Sequence, residues 1–256
     1  MKQPKLDRGP RTGTPQVPRP LPPRPSVRPG GLIEVAGPGD AQVASAIREQ
    51  ALACRPVLTG TRWDLAPREL AFSTVTALAE AADEPVVVQG GRPGSTGLLM
   101  AAIQVHRYET FRPHLDQGRL IIEVGGVHGS AVRAAVARHP DDLDRASDFA
   151  SRLIETTARW RPLPPLVLFT TAPDLVVPTR TVAASQWAPP SARMQRTRET
   201  AFIAAVFGRF VARDPERCRL ACLTGPNADN AEVVAAEALA TVVNRRRSEY
   251  AELSSL

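Results

Sequence analysis

From Leu32 onward, short segments rich in aliphatic and β-branched residues alternate with longer stretches of helical spacing, and this alternation constrains the fold more than any other feature. The short segments are Leu32–Ala36, Pro56–Thr59, Pro85–Gln89, Arg119–Val124, Pro165–Thr170 and Arg219–Thr224. Helical stretches follow near 40–53, 67–82, 96–110, 141–159, 191–212 and 229–249. Phe202, Val206 and Phe210 recur at four-residue steps, and Val233, Ala236, Ala240 and Val243 at steps of three and four, so each stretch presents one apolar stripe. Strands that are apolar almost throughout are buried on both faces, which is the condition of a parallel sheet covered by helices. The spacing predicts a three-layer α/β/α sandwich with a mostly parallel sheet of about six strands, in a single domain over residues 32–256.

Residues 1–31 differ in kind. They hold nine of the 25 prolines, and proline neither donates to a sheet ladder nor continues a helix, so a disordered tail is expected. Of the 32 basic and 26 acidic residues, seven and one lie in this tail, which therefore accounts for the whole net charge of +6 and leaves 25 of each sign in the rest. The pI near 10.0 thus implies no basic face on the domain, and no specific nucleic-acid partner is expected. Arg19–Pro25 (RPLPPRP) resembles ligands of Src-homology 3 domains, a candidate protein partner for a tail that otherwise only solubilises. No apolar run approaches the roughly 18 residues of a membrane span and no signal-peptide core follows the first charges, so the reading is cytoplasmic, without a membrane partner. Cys54, Cys218 and Cys222 lack metal or disulfide spacing and are expected to be buried, inert thiols.

In an open parallel sheet the ligand crevice is built by the loops that leave the carboxyl ends of the strands. In Gln89–Gly97 the glycines Gly90 and Gly91 let the backbone approach an anion, while Ser95 and Thr96 either cap a helix or donate to a phosphate or carboxylate. The stretch matches neither dinucleotide- nor P-loop spacing. Glu123–Ser130 places Glu123, Gly126 and His128 at the end of the strongest strand, where an imidazole and a carboxylate suit general-base or metal chemistry, unless His128 is simply structural. Asp64 precedes a helix that Pro67 can start, and is either an N-cap or a ligand. His139-Pro-Asp-Asp142 superficially matches a de-N-acetylase metal motif, but its place after an alanine-rich stretch predicts a helix–turn–helix joint capped by Asp141 or Asp142.

Three segments, LIEVAGPGDAQVAS (32–45), GTRWDLAPRELAFSTVTALAEAA (60–82) and RLIIEVGGVHGS (119–130), together resemble the zinc-dependent N-formylglutamate amidohydrolases. Gly37-Pro38-Gly39 has no histidine where that family supplies its first ligand, so a relative that has lost the metal is equally consistent with the resemblance. The resemblance implies a metal-dependent amide hydrolase acting on a small acidic amino-acid derivative, with zinc as the candidate cofactor. Asp64 and His128 would hold the ion, Glu123 and His128 would be catalytic, and Gly90, Gly91, Ser95, Thr96 and Gly126 would bind the substrate. The alternative expectation is a non-catalytic α/β module that binds a small anion or a protein with the same loops. A Rossmann-type nucleotide enzyme using Gly90–Gly97 is a weaker rival, lacking the glycine fingerprint.

Overall fold

The computed structural model describes residues 30–52, 56–60, 93–172, 190–225 and 228–253. In chain order these form β1 (Gly31–Ala36), α1 (Asp40–Leu52), β2 (Val57–Gly60), α2 (Pro93–Asp116), β3 (Leu120–Val124), α3 (Val127–Arg138), α4 (Leu143–Ala158), β4 (Leu166–Thr171), α5 (Pro190–Arg213), β5 (Cys218–Cys222) and α6 (Ala231–Leu253). The five strands make one sheet in the order β2-β3-β1-β4-β5, and every neighbouring pair is parallel. The chain therefore passes from β1 to the edge strand β2, returns to lay β3 between them, and then crosses to the other side for β4 and β5, which puts β1 in the centre between β3 and β4.

Alternation along the central strands assigns their side chains to two cores. Ile33 and Val35 of β1, Leu120 and Ile122 of β3, and Leu166 and Leu168 of β4 pack against Val43 and Ile47 of α1 and Ala235 and Val242 of α6. On the opposite face Ala36, Val167 and Phe169 meet Val132 of α3, Ala150 of α4 and Phe207 and Phe210 of α5, while Leu32 and Ile121 cover Phe111 of α2. Both faces of these central strands are thus buried, the reason their sequences read as continuous apolar runs, whereas edge strand β5, expected to be buried in the same way, leaves Arg219, Leu220 and Cys222 exposed. The sandwich is the expected one, with five described strands; the expected strand at 85–89 lies outside the described residues, as do the helix at 67–82 and the tail up to Pro29.

Boundaries follow local chemistry. The joint at 139–142 is a helix–turn–helix as expected: α3 ends at Arg138, and the Asp142 carboxylate accepts from the Arg145 amide at 3.0 Å to cap α4. Helix α2 begins at Pro93, so Ser95 and Thr96 stand in its first turn and not in the preceding loop. The expectation of three buried thiols is corrected at Cys222, which is exposed because it lies near the end of edge strand β5; Cys218 is buried and its thiol is pushed up to about 12, chiefly by desolvation. Cys54 lies outside the described residues.

The connection from β1 to α1 is only Gly37-Pro38-Gly39, with Gly37 at φ +124 and Gly39 at φ +80. A Cβ on Gly37 would stand 2.2 Å from the Thr170 carbonyl oxygen of β4, so the turn is closed down on the neighbouring strand. Gly37→Ala should therefore cost about 2–4 kcal/mol, backbone strain and overpacking combined. Gly208→Ala, in the interior of α5 with nothing within 4 Å of the added carbon, should instead stabilise by about 0.5–1 kcal/mol. Urea midpoints of the two variants check this; similar values for both would contradict the close approach at Gly37.

Candidate functional site

The carboxyl edge of the sheet is bounded, among the described residues, by the Gly37–Gly39 turn after β1 and the Gly125-Gly126 turn after β3. Gly125 adopts φ +62, and its amide donates to the Val35 carbonyl at 2.8 Å, holding the β3 turn against β1. Beneath these turns, on the face covered by α2 to α5, two glutamates stand side by side: Glu34 and Glu123 are in register on adjacent strands, and both are fully buried. Two carboxylates this close survive ionised only if each has its own counter-group.

Glu123 is held by Arg161, from the segment after α4, through two parallel 2.9 Å bonds, one from each terminal guanidinium nitrogen. Both side chains are shut off from solvent. Burial works against the Arg161 charge, but the attraction of Glu123 outweighs it and keeps the guanidinium firmly ionised. Arg161 also donates to the Gln104 carbonyl at 3.2 Å and lies over the rings of Tyr108 and Phe111. A second buried guanidinium, Arg107, donates to Gln104 Oε1 at 3.2 Å, and Gln104 Nε2 donates to Ser130 Oγ at 2.9 Å. Ser130 in turn donates to the Gly125 carbonyl at 3.1 Å. This chain of bonds ties α2 to the β3 turn.

Glu34 has a different partner. Its Oε2 is 2.9 Å from His128 Nδ1, and its Oε1 accepts from the Gly129 amide at 3.0 Å. Helix α3 has Gly126 at its N-cap and no side-chain cap of its own. The β1 carboxylate serves as that cap from across the fold, and so occupies the place where the helix N-terminus would otherwise receive an external anion. Burial raises the carboxyl's proton affinity; the His128 charge and hydrogen bond together with the Gly129 amide outweigh it and hold Glu34 below the usual carboxylate range. Gly126 has no room for a side chain, since a Cβ there would meet Glu34 Cδ at 2.8 Å.

The residues expected to form a site are thus distributed as follows. Glu123, Gly126 and His128 do come together with the carboxyl edge, but as parts of a buried ion network. His128 was expected on a strand-end loop; it stands in the first turn of α3, buried between Phe169 and Phe210. Its Nδ1 is engaged by Glu34, and both Glu123 oxygens are engaged by Arg161. Among the described residues no group of three or more His, Cys, Asp or Glu could hold a metal. Asp64, Gly90 and Gly91 lie outside the described residues, and Ser95 and Thr96 are placed only as helix positions. Glu34, Arg107 and Arg161 were missed. Glu34 left a signal, a charged residue in the middle of the apolar run LIEVA; the arginines, among many others, left none.

An apolar groove of about 490 Å³ between α2 and the end of α4 is lined by residues including Leu98, Val105, His106 and the exposed Trp160. No helix among the described residues is long and apolar enough to cross a membrane.

No family model and no curated protein matches the sequence. Among solved structures the chain is similar to thymidylate kinase from Ehrlichia chaffeensis, with a TM-score of 0.54 and 12% identity, covering 82% of this chain and 99% of that one. It is similar also to thymidylate kinase from Candida albicans, with a TM-score of 0.56 and 15% identity over 85% of this chain and 93% of the other. At such identities the likeness shows a shared fold. It corrects the resemblance to N-formylglutamate amidohydrolases, and the amide-hydrolase and zinc-enzyme reading built on that resemblance goes with it. The alternative of a non-catalytic module for small anions or proteins is likewise unsupported. Strand–helix alternation is common to many α/β folds, which is why the loose match misled.

Proposed function

We propose that this protein handles nucleotides, taking a nucleoside phosphate at the carboxyl edge of the sheet. The observation that carries the reading is the likeness to two thymidylate kinases over most of both chains. The parallel order β2-β3-β1-β4-β5, which places the β1 and β3 turns side by side at that edge, agrees with it. Ligands of open α/β sheets bind there for a physical reason: the strand ends converge on the crevice while helix termini and loop amides face it. A nucleotide replaces the acidic amino-acid derivative expected from the sequence.

The turn after β1 sets a limit on the chemistry. Phosphate-cradling loops of the pattern G-x-x-x-x-G-K-[ST] use eight residues, a lysine on the terminal phosphates and a hydroxyl on the metal ion. Here three residues join β1 to α1, the helix opens with Asp40, and no lysine occurs after Lys5. Transfer of a phosphoryl group from ATP should therefore be at least about 10²-fold slower than in enzymes that carry such a loop, the usual cost of losing one preorganised donor to the transition state.

Two measurements test the reading separately. Calorimetric titration with thymidine monophosphate, other nucleoside monophosphates and ATP should show saturable binding in the range of about 1 µM to 1 mM typical of enzyme substrates. Absence of heat with every nucleotide would overturn the proposal. Release of ADP from ATP in the presence of the tightest-binding monophosphate should be slow; a rate of about 1–100 s⁻¹, ordinary for kinases, would show that the missing lysine has been replaced.

A further inference from the structure

The groove between α2 and the end of α4 gathers exposed apolar surface. Trp160, at 74% the most exposed large apolar side chain among the described residues, and Leu98, at 60%, both line it. On α2 the lining residues Leu98, Val105 and Glu109 follow at steps of seven and four, so they share the helix face turned away from the sheet-facing Phe111. Glu109 is the only Asp, Glu, Lys or Arg among the described lining residues; Arg112 and Arg159, nearby in sequence, do not line it. An exposed indole beside an apolar trough with an acid at one end suits a polyproline II segment that carries arginine. Proline rings stack on the indole, its N–H donates to carbonyls that no internal bond engages, and the acid pairs the arginine.

Such a segment lies upstream in the same chain. Residues 1–29 precede the described fold, and the chain enters it at Gly30, whose amide donates to the Leu115 carbonyl of α2 at 2.7 Å. Along the α2 axis Glu109 is about 9 Å from that anchor, and Leu98 about 16 Å further. Arg24 stands six residues before Gly30, a reach of about 19 Å in polyproline II form, which is ample for Glu109. Arg19–Pro25 then spans about 22 Å, enough to run the groove as far as Leu98. The tail also brings seven basic residues against one acid to a groove whose only charge is Glu109.

We propose that Arg19–Pro25 docks into this groove of its own molecule, with Pro20, Pro22 and Pro23 against Trp160 and the apolar face of α2, and Arg24 paired with Glu109. The inference stands apart from the nucleotide reading, since no residue of the β1 or β3 turn lines the groove. Tethering makes weak contacts sufficient: a short flexible linker holds its ligand at an effective concentration of about 1 mM, so an intrinsic Kd of about 0.1 mM already fills the site. The motif that resembles Src-homology 3 ligands is then engaged within the molecule.

The test uses the full chain. The indole N–H resonance of Trp160, assigned by its loss in Trp160→Ala, reports on the groove. Replacing Pro20, Pro22 and Pro23 together by glycine, which removes the polyproline preference, should shift that resonance, whereas Pro10→Gly, higher in the tail, should leave it in place. A fluorescent peptide of residues 15–29 should bind the triple-glycine protein, and wild type, whose own tail fills the groove, should bind it about 10-fold more weakly. Glu109→Arg in the triple-glycine protein should weaken the peptide about 5-fold, and a peptide carrying Arg24→Glu should recover most of that loss. A Trp160 resonance that ignores loss of the three prolines would overturn the proposal, as would equal affinity of the peptide for wild type and the triple-glycine protein. Peptide binding that survives both Trp160→Ala and Glu109→Arg unchanged would place the tail elsewhere and overturn it too. A resonance that moves with protein concentration, alike with and without the prolines, would give the groove to a second copy of the chain instead.

Discussion

Replacing Glu123 by alanine should cost the fold about 3–5 kcal/mol, because it strands the Arg161 charge where no water can reach it. Both partners are fully buried and joined by two 2.9 Å bonds. For a domain of this size the loss corresponds to a fall in melting temperature of roughly 6–20 °C. Removing the arginine instead, as Arg161→Met, leaves an unpaired carboxylate and should be equally damaging. The double variant Glu123→Leu/Arg161→Met should recover most of the loss, since two apolar side chains need no counter-charge. Thermal melts of the three proteins decide the matter: strictly additive losses would show that the pair is not a unit.

His128→Ala should be of the same order, about 3–5 kcal/mol, for a related reason. The imidazole fills space between Phe169 and Phe210 and is the partner of a fully buried carboxylate. The variant also changes the response to acid. The folded protein holds Glu34 below its ordinary value of 4.5, so this group's contribution is fully present above pH 4.5 and is lost as pH falls through the depressed folded value. Without His128 desolvation has less to oppose it, the folded value rises, and the loss of stability on acidification should flatten. Urea unfolding at a series of pH values between about 3 and 6 measures this. Parallel curves for wild type and variant would refute the coupling of Glu34 to His128.

Neither network could be read from the chain, although both shape the candidate site. Glu34 and Glu123 are separated by more than eighty residues, and they become neighbours only because β1 and β3 pair in parallel with a particular register. Arg161 follows α4 in a proline-rich segment with no periodic signal, and only the packing of α4 against α2, which itself lies on β3, directs it to Glu123. The sequence places the His128 imidazole near the Glu123 carboxylate, whereas the fold pairs it with another. The nearest acid in sequence was Glu123, and the nearest in space is Glu34.

What the sequence by itself determined is therefore local: the apolar runs of the central strands, the stripe Phe202, Val206 and Phe210 of α5, the Asp142 cap, and a charge excess confined to residues 1–31. Each of these depends on residues within a turn or two of one another, and their physics is complete without the rest of the chain. The stripe Val233, Ala236, Ala240 and Val243 expected on α6 faces solvent instead, because Ala231, Ala235, Ala238 and Val242 are the residues packed in the core. Strand order, the pairing of the buried charges and the closed turn at Gly37 were decided by the tertiary structure. They arise from contacts between segments that alternation leaves free to assemble in several orders, and a single short-range pattern serves all of those orders equally.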